Sequence, residues 1–198
     1  MSIVVAIKKN DKVYLGADTQ TTRNDNKKNY LNEESRKLIL LDNGIILGAV
    51  GPKMGGKLIF AHPEFFELPD DGELTKKYIS QVILPKINEC LEANNMIETE
   101  KSTPPRWKNA FIIAYKDKLF WLNGRGSVTV INHFVSIGSG ESVVYPGLMK
   151  LDKTEVKSDD EINKAITESL RISADRKTSI SAPFYLINTE SKEFTLEK

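Results

Sequence analysis

Apolar residues in the first fifty positions come in short runs rather than at helical spacing. SIVVAIKK, from Ser2 to Lys9, carries a β-branched run, Asn10 and Asp11 supply turn chemistry, and KVYLGAD, from Lys12 to Asp18, is apolar again. The pattern predicts a hairpin. A polar stretch from Arg23 to Glu34 separates it from a second predicted hairpin, in which KLILL and IILGAV flank Asp42-Asn43-Gly44. Beyond Gly51 the period changes. Met54, Leu58, Ile59 and Ala61 fall at helical spacing within Lys53 to Phe66, where Pro63 ends or kinks the segment. Glu73 to Asn95 repeats the pattern with Leu74, Tyr78, Val82, Ile83, Ile87 and Leu91 on one face and Pro85 as an interruption. A polar loop from Glu98 to Arg106 follows, containing Pro104 and Pro105. Strands then return in NAFIIAYK and KLFWLN, a hairpin about Asp117, and in SVTVIN and FVSIG. Glu141 to Leu151 and Asp159 to Lys177 read as a helical pair, the second opened by Ser158 and Glu161 as a capping box. FYLIN and EFTLE close the chain as a hairpin around Thr189 to Lys192.

The order is strands, two helices, strands, two helices, strands, without the alternation that builds a parallel sheet. Each sheet must bury one face on the other and one face under helices, so the expected fold is α/β (α+β): a four-layer αββα sandwich of two antiparallel sheets between helix pairs, forming one domain over 1–198. Composition narrows the function classes. Lys plus Arg number 28 against 27 for Asp plus Glu, and the formal net charge of +1 supplies no field to hold nucleic acid or an anionic membrane. The longest apolar stretches fall far short of the roughly 20 residues a spanning helix needs, and Lys8 and Lys9 interrupt the one nearest the start. The only cysteine, Cys90, cannot form an internal disulfide, and with His62 and His133 it makes no zinc spacing. A cytoplasmic protein without cofactor or metal is expected.

Three features exceed what an unremarkable domain requires. Ser2 follows Met1, and a small second residue permits removal of the methionine. That leaves a hydroxyl and a free α-amine on one residue, and an amine with an unperturbed pKa near ~7.7–8.0 can act as general base for its own side chain. GADTQTT places Asp18 and several hydroxyls at a strand end, where they can face a cleft; a capped turn is the bland alternative. Lys37 at the root of LILL can tune a nucleophile, and the glycine-rich strand-to-helix turn GAVGPKMGG can present backbone N–H groups to an oxyanion. A solvated flank and ordinary turn geometry are the alternatives for that pair. His62, His133, Trp107 and Trp121 read as structural, and Cys90 as a small buried hydrophobe.

In this order these residues resemble the proteasome β-type family of N-terminal nucleophile hydrolases, including its HslV-like members, over most of the chain. With Ser2 on the family's N-terminal threonine, Asp18 falls on its catalytic aspartate, and Gln20 and Thr22 on the D-x-Q-x-T continuation. After a short insertion in the polar loop, Lys37 meets the catalytic lysine and Gly51 the oxyanion glycine. IGSG, from Ile137 to Gly140, matches the family's GSG segment and puts Ser139 on the serine near the terminal amine. ADRKTSISAPF looks like the RD-x-S-x-GG region. Anchored on Arg176, Pro183 and Phe184, it puts Ser179 on the serine and Lys177 where an aspartate is expected. Serine in place of threonine keeps the reacting hydroxyl and loses the methyl that restricts its rotamer. Pro52 after Gly51 removes only its own N–H.

The resemblance implies the αββα fold and an N-terminal serine peptidase. Ser2 Oγ would attack, its amine would take the proton, Lys37 would tune the hydroxyl, Asp18 would hold Lys37, Gly51 N–H would bind the oxyanion, and Gln20 and Thr22 would meet substrate. It also implies a peptide or unfolded-protein substrate, a homo-oligomeric ring and an ATPase partner. Two other readings stay open: a catalytically silent assembly or regulatory protein, consistent with Lys177, and a non-proteolytic amidase or ligase using the same nucleophile.

Overall fold

Every residue from Ile3 to Ile7 is buried, which requires a strand covered on both faces. In the computed structural model, which describes residues 2–23, 26–29, 36–99, 104–156 and 158–198, with the backbone alone at 22, 23 and 26–29, that strand is β1 (Ile3–Lys9). Ile3, Val5 and Ile7 face helices α4 (Glu141–Lys153) and α5 (Asp159–Arg176), while Val4 and Ala6 face a second sheet. The first sheet is antiparallel, with β1 between β12 (Phe134–Gly138) and β2 (Lys12–Asp18), followed by β13 (Phe184–Asn188) and β14 (Thr195–Glu197). The second runs β11 (Val128–Val130), β10 (Lys118–Leu122), β9 (Ala110–Tyr115), β6 (Ile46–Val50) and β5 (Leu38–Leu40), also antiparallel.

Three apolar layers follow. Val4, Leu15, Leu38, Ile46, Ile112 and Leu119 fill the space between the sheets. Leu47, Phe111, Ile113 and Phe120 on the outer face of the second sheet meet Ile59 of α1 (Lys53–Phe60) and Ile87 and Leu91 of α3 (Leu84–Ala93). Val144, Leu148, Ile166 and Leu170 cover the first sheet from outside. Truncating one such buried aliphatic to alanine costs about 2–5 kcal/mol, so strand register is tightly held. The αββα sandwich expected from periodicity is the architecture present.

The helix that opens at Lys53 ends ahead of Pro63, as expected: α1 stops at Phe60, and Pro63–Phe66 forms a separate 3₁₀ turn with Pro63 at its start. Other elements differ from the sequence expectation. Pro85 does not interrupt its helix. A short α2 (Lys76–Tyr78), capped by Thr75, runs into a π-helical turn at Ile79–Ile83 and then into α3. The Leu84 N–H reaches back to the Ile79 carbonyl, and this wider turn sets Pro85, which has no N–H to give, in the first turn of α3. The polar stretch after Asp18 begins as a ribbon of β3 (Gln20–Arg23) and β4 (Asn26–Asn29), and its remainder lies outside the described residues. Short strands β7 (Ile97–Glu98) and β8 (Arg106–Trp107) clasp the proline-containing loop. SVTVIN and FVSIG, adjacent in sequence, part to the edges of different sheets.

The register sets what meets at one end of the sandwich. Val4 pairs with Ala17, Ile3 with Gly138 and Phe184 with Asp18, so the start of β1 lies beside the ends of β2 and β12 and the start of β13. Leu38 pairs with Gly48 in the facing sheet, which brings Lys37 and Gly51 to the same end.

Candidate active site

Ser2 is gripped through its backbone. Its carbonyl accepts the Ser139 N–H at 3.0 Å, and the next amide, Ile3 N–H, donates to Asp18 Oδ1 at 2.9 Å. Gly138 makes the first contact achievable. It has φ +108°, and a Cβ there would lie 2.1 Å from the Ser2 carbonyl oxygen. The glycine of IGSG thus lets β12 close on the residue before β1.

Asp18 and Lys37 form a buried ion pair at 2.6 Å. The carboxylate also accepts the Gln20 N–H at 3.2 Å, and the Lys37 ammonium donates to the Gln20 carbonyl at 2.8 Å. Burial drives both groups toward their neutral forms: it pushes Asp18 up, against the pull of the Lys37 charge and the backbone donors. It pushes Lys37 down, against the pull of Asp18. A lysine whose pKa is lowered gives up its proton more readily than an ordinary one. Lys37 shares a cavity with Ser2: Ser2, Gln20, Thr21, Lys37, Gly51 and Asn109 line its walls, which enclose about 330 Å³.

Gly51 follows β6 and has φ +113°, and a Cβ there would stand 2.5 Å from the Lys108 carbonyl oxygen. Pro52 is the N-cap residue of α1. Asn109, just before β9 and 3% exposed, donates from Nδ2 to the carbonyls of Val50 and Pro52, each at 3.0 Å. Sequence reasoning passed over Asn109, because its partners lie more than fifty positions away and a polar residue before an apolar strand is unexceptional.

Ser139 Oγ lies 3.2 Å from Ser179 Oγ. Lys177, where the resemblance expects an aspartate, is the C-cap residue of α5; it does not line the Ser2 cavity, and its ammonium has no partner among the described residues. Gln20 is buried, and its Nε2 donates to the Thr178 carbonyl at 3.1 Å, tying β3 to the loop that carries Ser179. Thr22 lies on β3, with its side chain outside the described residues, as is Met1.

The remaining candidates lie apart. Cys90 is half-buried on α3, and burial pushes its thiol up, away from the reactive thiolate. His62 stacks on Phe65 at 4.6 Å, and His133 pairs with Asp152 at 3.2 Å. Trp107 donates to Asn88 Oδ1 at 3.0 Å. Among the described residues no three His, Cys, Asp or Glu side chains are grouped to hold a metal, and no helix is long and apolar enough to cross a membrane.

No protein-family model matches the chain, and no curated protein is detectably similar to it in sequence. Solved structures are similar over nearly its whole length. BPH from Thiobacillus denitrificans superposes with a TM-score of 0.72 at 16% identity, covering 94% of this chain and 96% of that one; it has also been solved in complex with epoxomicin. HslV from Trypanosoma brucei gives 0.62 at 16% identity, covering 94% and 98%. Anbu from Pseudomonas aeruginosa, solved as a helical assembly, gives 0.71 at 13% identity, covering 98% and 86%. At such identities the likeness is one of fold, and the fold is the proteasome-β-like sandwich of N-terminal nucleophile hydrolases.

Proposed function

We propose that the protein is an N-terminal serine peptidase acting on peptides or unfolded protein. After loss of Met1, Ser2 Oγ attacks the peptide carbonyl and the Ser2 α-amine takes its proton. Lys37 lowers the cost of forming the alkoxide, Asp18 fixes Lys37, and Gly51 N–H receives the oxyanion. Ser139 and Ser179 lie behind the terminal residue and order it. The observation that carries this reading is the convergence on one cavity of Ser2, Gly51 and a lysine lowered by burial and bound to a buried aspartate at 2.6 Å. The helical assembly of the Anbu neighbour supports self-association of this chain; the homo-oligomeric ring, the cytoplasmic setting and an ATPase that delivers unfolded substrate are further steps of the proposal and rest on the family resemblance.

Epoxomicin, bound by the BPH neighbour, is the probe. Intact mass should show a chain lacking Met1 that gains the mass of one epoxomicin, with the adduct mapped to Ser2. Ser2→Ala should abolish both the adduct and hydrolysis of a mixed peptide library. A protein that retains Met1 and hydrolyses nothing overturns the proposal. One observation favours a second reading, that of a silent assembly protein: among the described residues no carboxylate hydrogen-bonds to Ser139 or Ser179. A chain that loses Met1 yet takes no adduct and cuts no peptide would establish that reading.

A further inference from the structure

Asn109 holds the two carbonyls on either side of Gly51 with a single amide group. Nδ2 donates to Val50 O and to Pro52 O, each at 3.0 Å, and the side chain is nearly fully buried. In a trans peptide the C=O and the following N–H point in opposite directions. Fixing the Val50 carbonyl on Asn109 therefore aims the Gly51 N–H away from Asn109. Among the described residues no acceptor takes that N–H. Pro52 has none of its own, so Gly51 carries the one backbone donor between Val50 and the first residue of α1.

The glycines of GAVGPKMGG fit around this side chain. A Cβ on Gly51 would fall 2.8 Å from Asn109 Nδ2, and one on Gly55, in the first turn of α1, 1.9 Å from Oδ1. The φ of +113° at Gly51 is the backbone state that lets both flanking carbonyls converge on one amide. Asn109 Oδ1 is buried with no hydrogen-bond partner among the described residues, a cost the fold carries while Nδ2 is fully used.

We infer that Asn109 is the positioning residue that turns the Val50–Gly51 peptide so that Gly51 N–H faces the cavity beside Ser2 as a preformed oxyanion donor. The inference rests on the proposed peptidase reading for its catalytic meaning, while the orientation of the peptide stands apart from it. An unanchored peptide at a glycine rotates readily, and a donor that must reorient during reaction loses most of its value.

Two near-isosteric variants test the role. Asn109→Leu removes the donor, and Asn109→Asp replaces it with an oxygen that repels both carbonyls. Each should lower kcat by about 10²-fold, the scale of losing one oxyanion donor, with little change in KM. Crystal structures of the variants should show the Val50 carbonyl turned from its parental direction. Unchanged kcat, or a lost kcat with the Val50–Gly51 peptide still in place, overturns the inference. If the parent hydrolyses no peptide, the proposed function fails, and the peptide orientation in Asn109→Leu alone decides the positioning role. If neither variant folds, the parent decides: the Gly51 amide proton should move downfield on binding a peptide boronate to Ser2, and an unmoved resonance overturns the inference.

Discussion

The Lys37 ammonium and the Asp18 carboxylate each make the other's burial tolerable, and this mutual dependence can be measured without any substrate. Lys37→Met keeps the bulk of the side chain and removes its charge, leaving a buried carboxylate held only by the Ile3 and Gln20 N–H groups. Removing one member of a buried pair costs about 3–5 kcal/mol. The pH dependence has a definite sign. Burial already raises Asp18 above its ordinary value of 3.8, and losing the Lys37 attraction raises it further. The native state of the variant then binds a proton that the unfolded chain releases, so its stability falls as pH rises from about 4 through the raised native value. Denaturant unfolding at pH 4.5 and pH 8 should show the gap between parent and Lys37→Met widening with pH. Asp18→Asn combined with Lys37→Met should recover much of the loss. A gap independent of pH would mean that Asp18 is not the group left stranded. At this scale Ser2, Asp18, Lys37 and Gly51 were legible as candidates because a hydroxyl, a carboxylate, a cation and a glycine at strand ends are chemically conspicuous, whereas Ser139 came only from the likeness of IGSG to the family's GSG segment. Asn109 was not, since its meaning lies in two carbonyls distant in sequence.

Among the elements, the strands were readable because their residues are buried on both faces, as in Ile3 to Ile7 and Phe184 to Asn188. The helical stretch around Pro85 was harder. A proline is a reliable break only when the preceding turn keeps its α register, and a π turn is not marked by any residue type. The start of α5, by contrast, was announced by its capping box, and Ser158 Oγ does accept the Glu161 N–H, at 3.3 Å. What the box did not disclose is the clasp beside it. Asp159 accepts from the Tyr14 hydroxyl at 2.7 Å, from Lys12 at 3.2 Å and from Asn188 at 3.2 Å, joining α5 to β2 and β13. The Tyr14 hydrogen bond, with those from Lys12 and Asn188, holds the Asp159 carboxyl below its ordinary range, and burial pushes the Tyr14 hydroxyl up. Because the Asp159 side chain is 40% exposed, solvent screening limits its worth to about 1 kcal/mol. Asp159→Ala should lower Tm by about 2–4 °C at pH 7. A depressed native pKa means that this stability is present above the unfolded value of 3.8 and is lost as pH falls through the native value. Thermal melts over a series of pH values should therefore show the difference between parent and variant at pH 7 shrinking as pH falls below 3.8.

At the scale of the whole molecule, the near-balance of charge sets no barrier to self-association, and the question becomes which apolar surface is left over. The apolar faces of α1 and α3 are largely spent: Ile59, Ile87 and Leu91 are buried against the second sheet, as is Ile83 in the π turn before α3. Met54 on α1 is exposed, and so, on the opposite helix layer, are Tyr145 and Met149 of α4. The α4 pair lies with Val130 and Phe134 around a cavity rimmed by His133 and Asp152, an apolar patch with a polar border. Clusters of this kind on a protein surface mark contacts more often than they mark accident. For the proposed ring the partner is a second copy of the chain, and a heterologous contact that closes on itself would repeat this patch once per subunit. Sedimentation at micromolar concentration should show a mass that is a multiple of 22.3 kDa. Met149→Glu combined with Tyr145→Glu, both exposed and outside the Ser2 cavity, should shift that species toward monomer while leaving the Tm of the monomer little changed. If the parent sediments only as a monomer, the ring reading fails. If it assembles and the double variant assembles equally well, the α4 patch is not the contact, and the exposed Met54 of α1 becomes the surface to alter next.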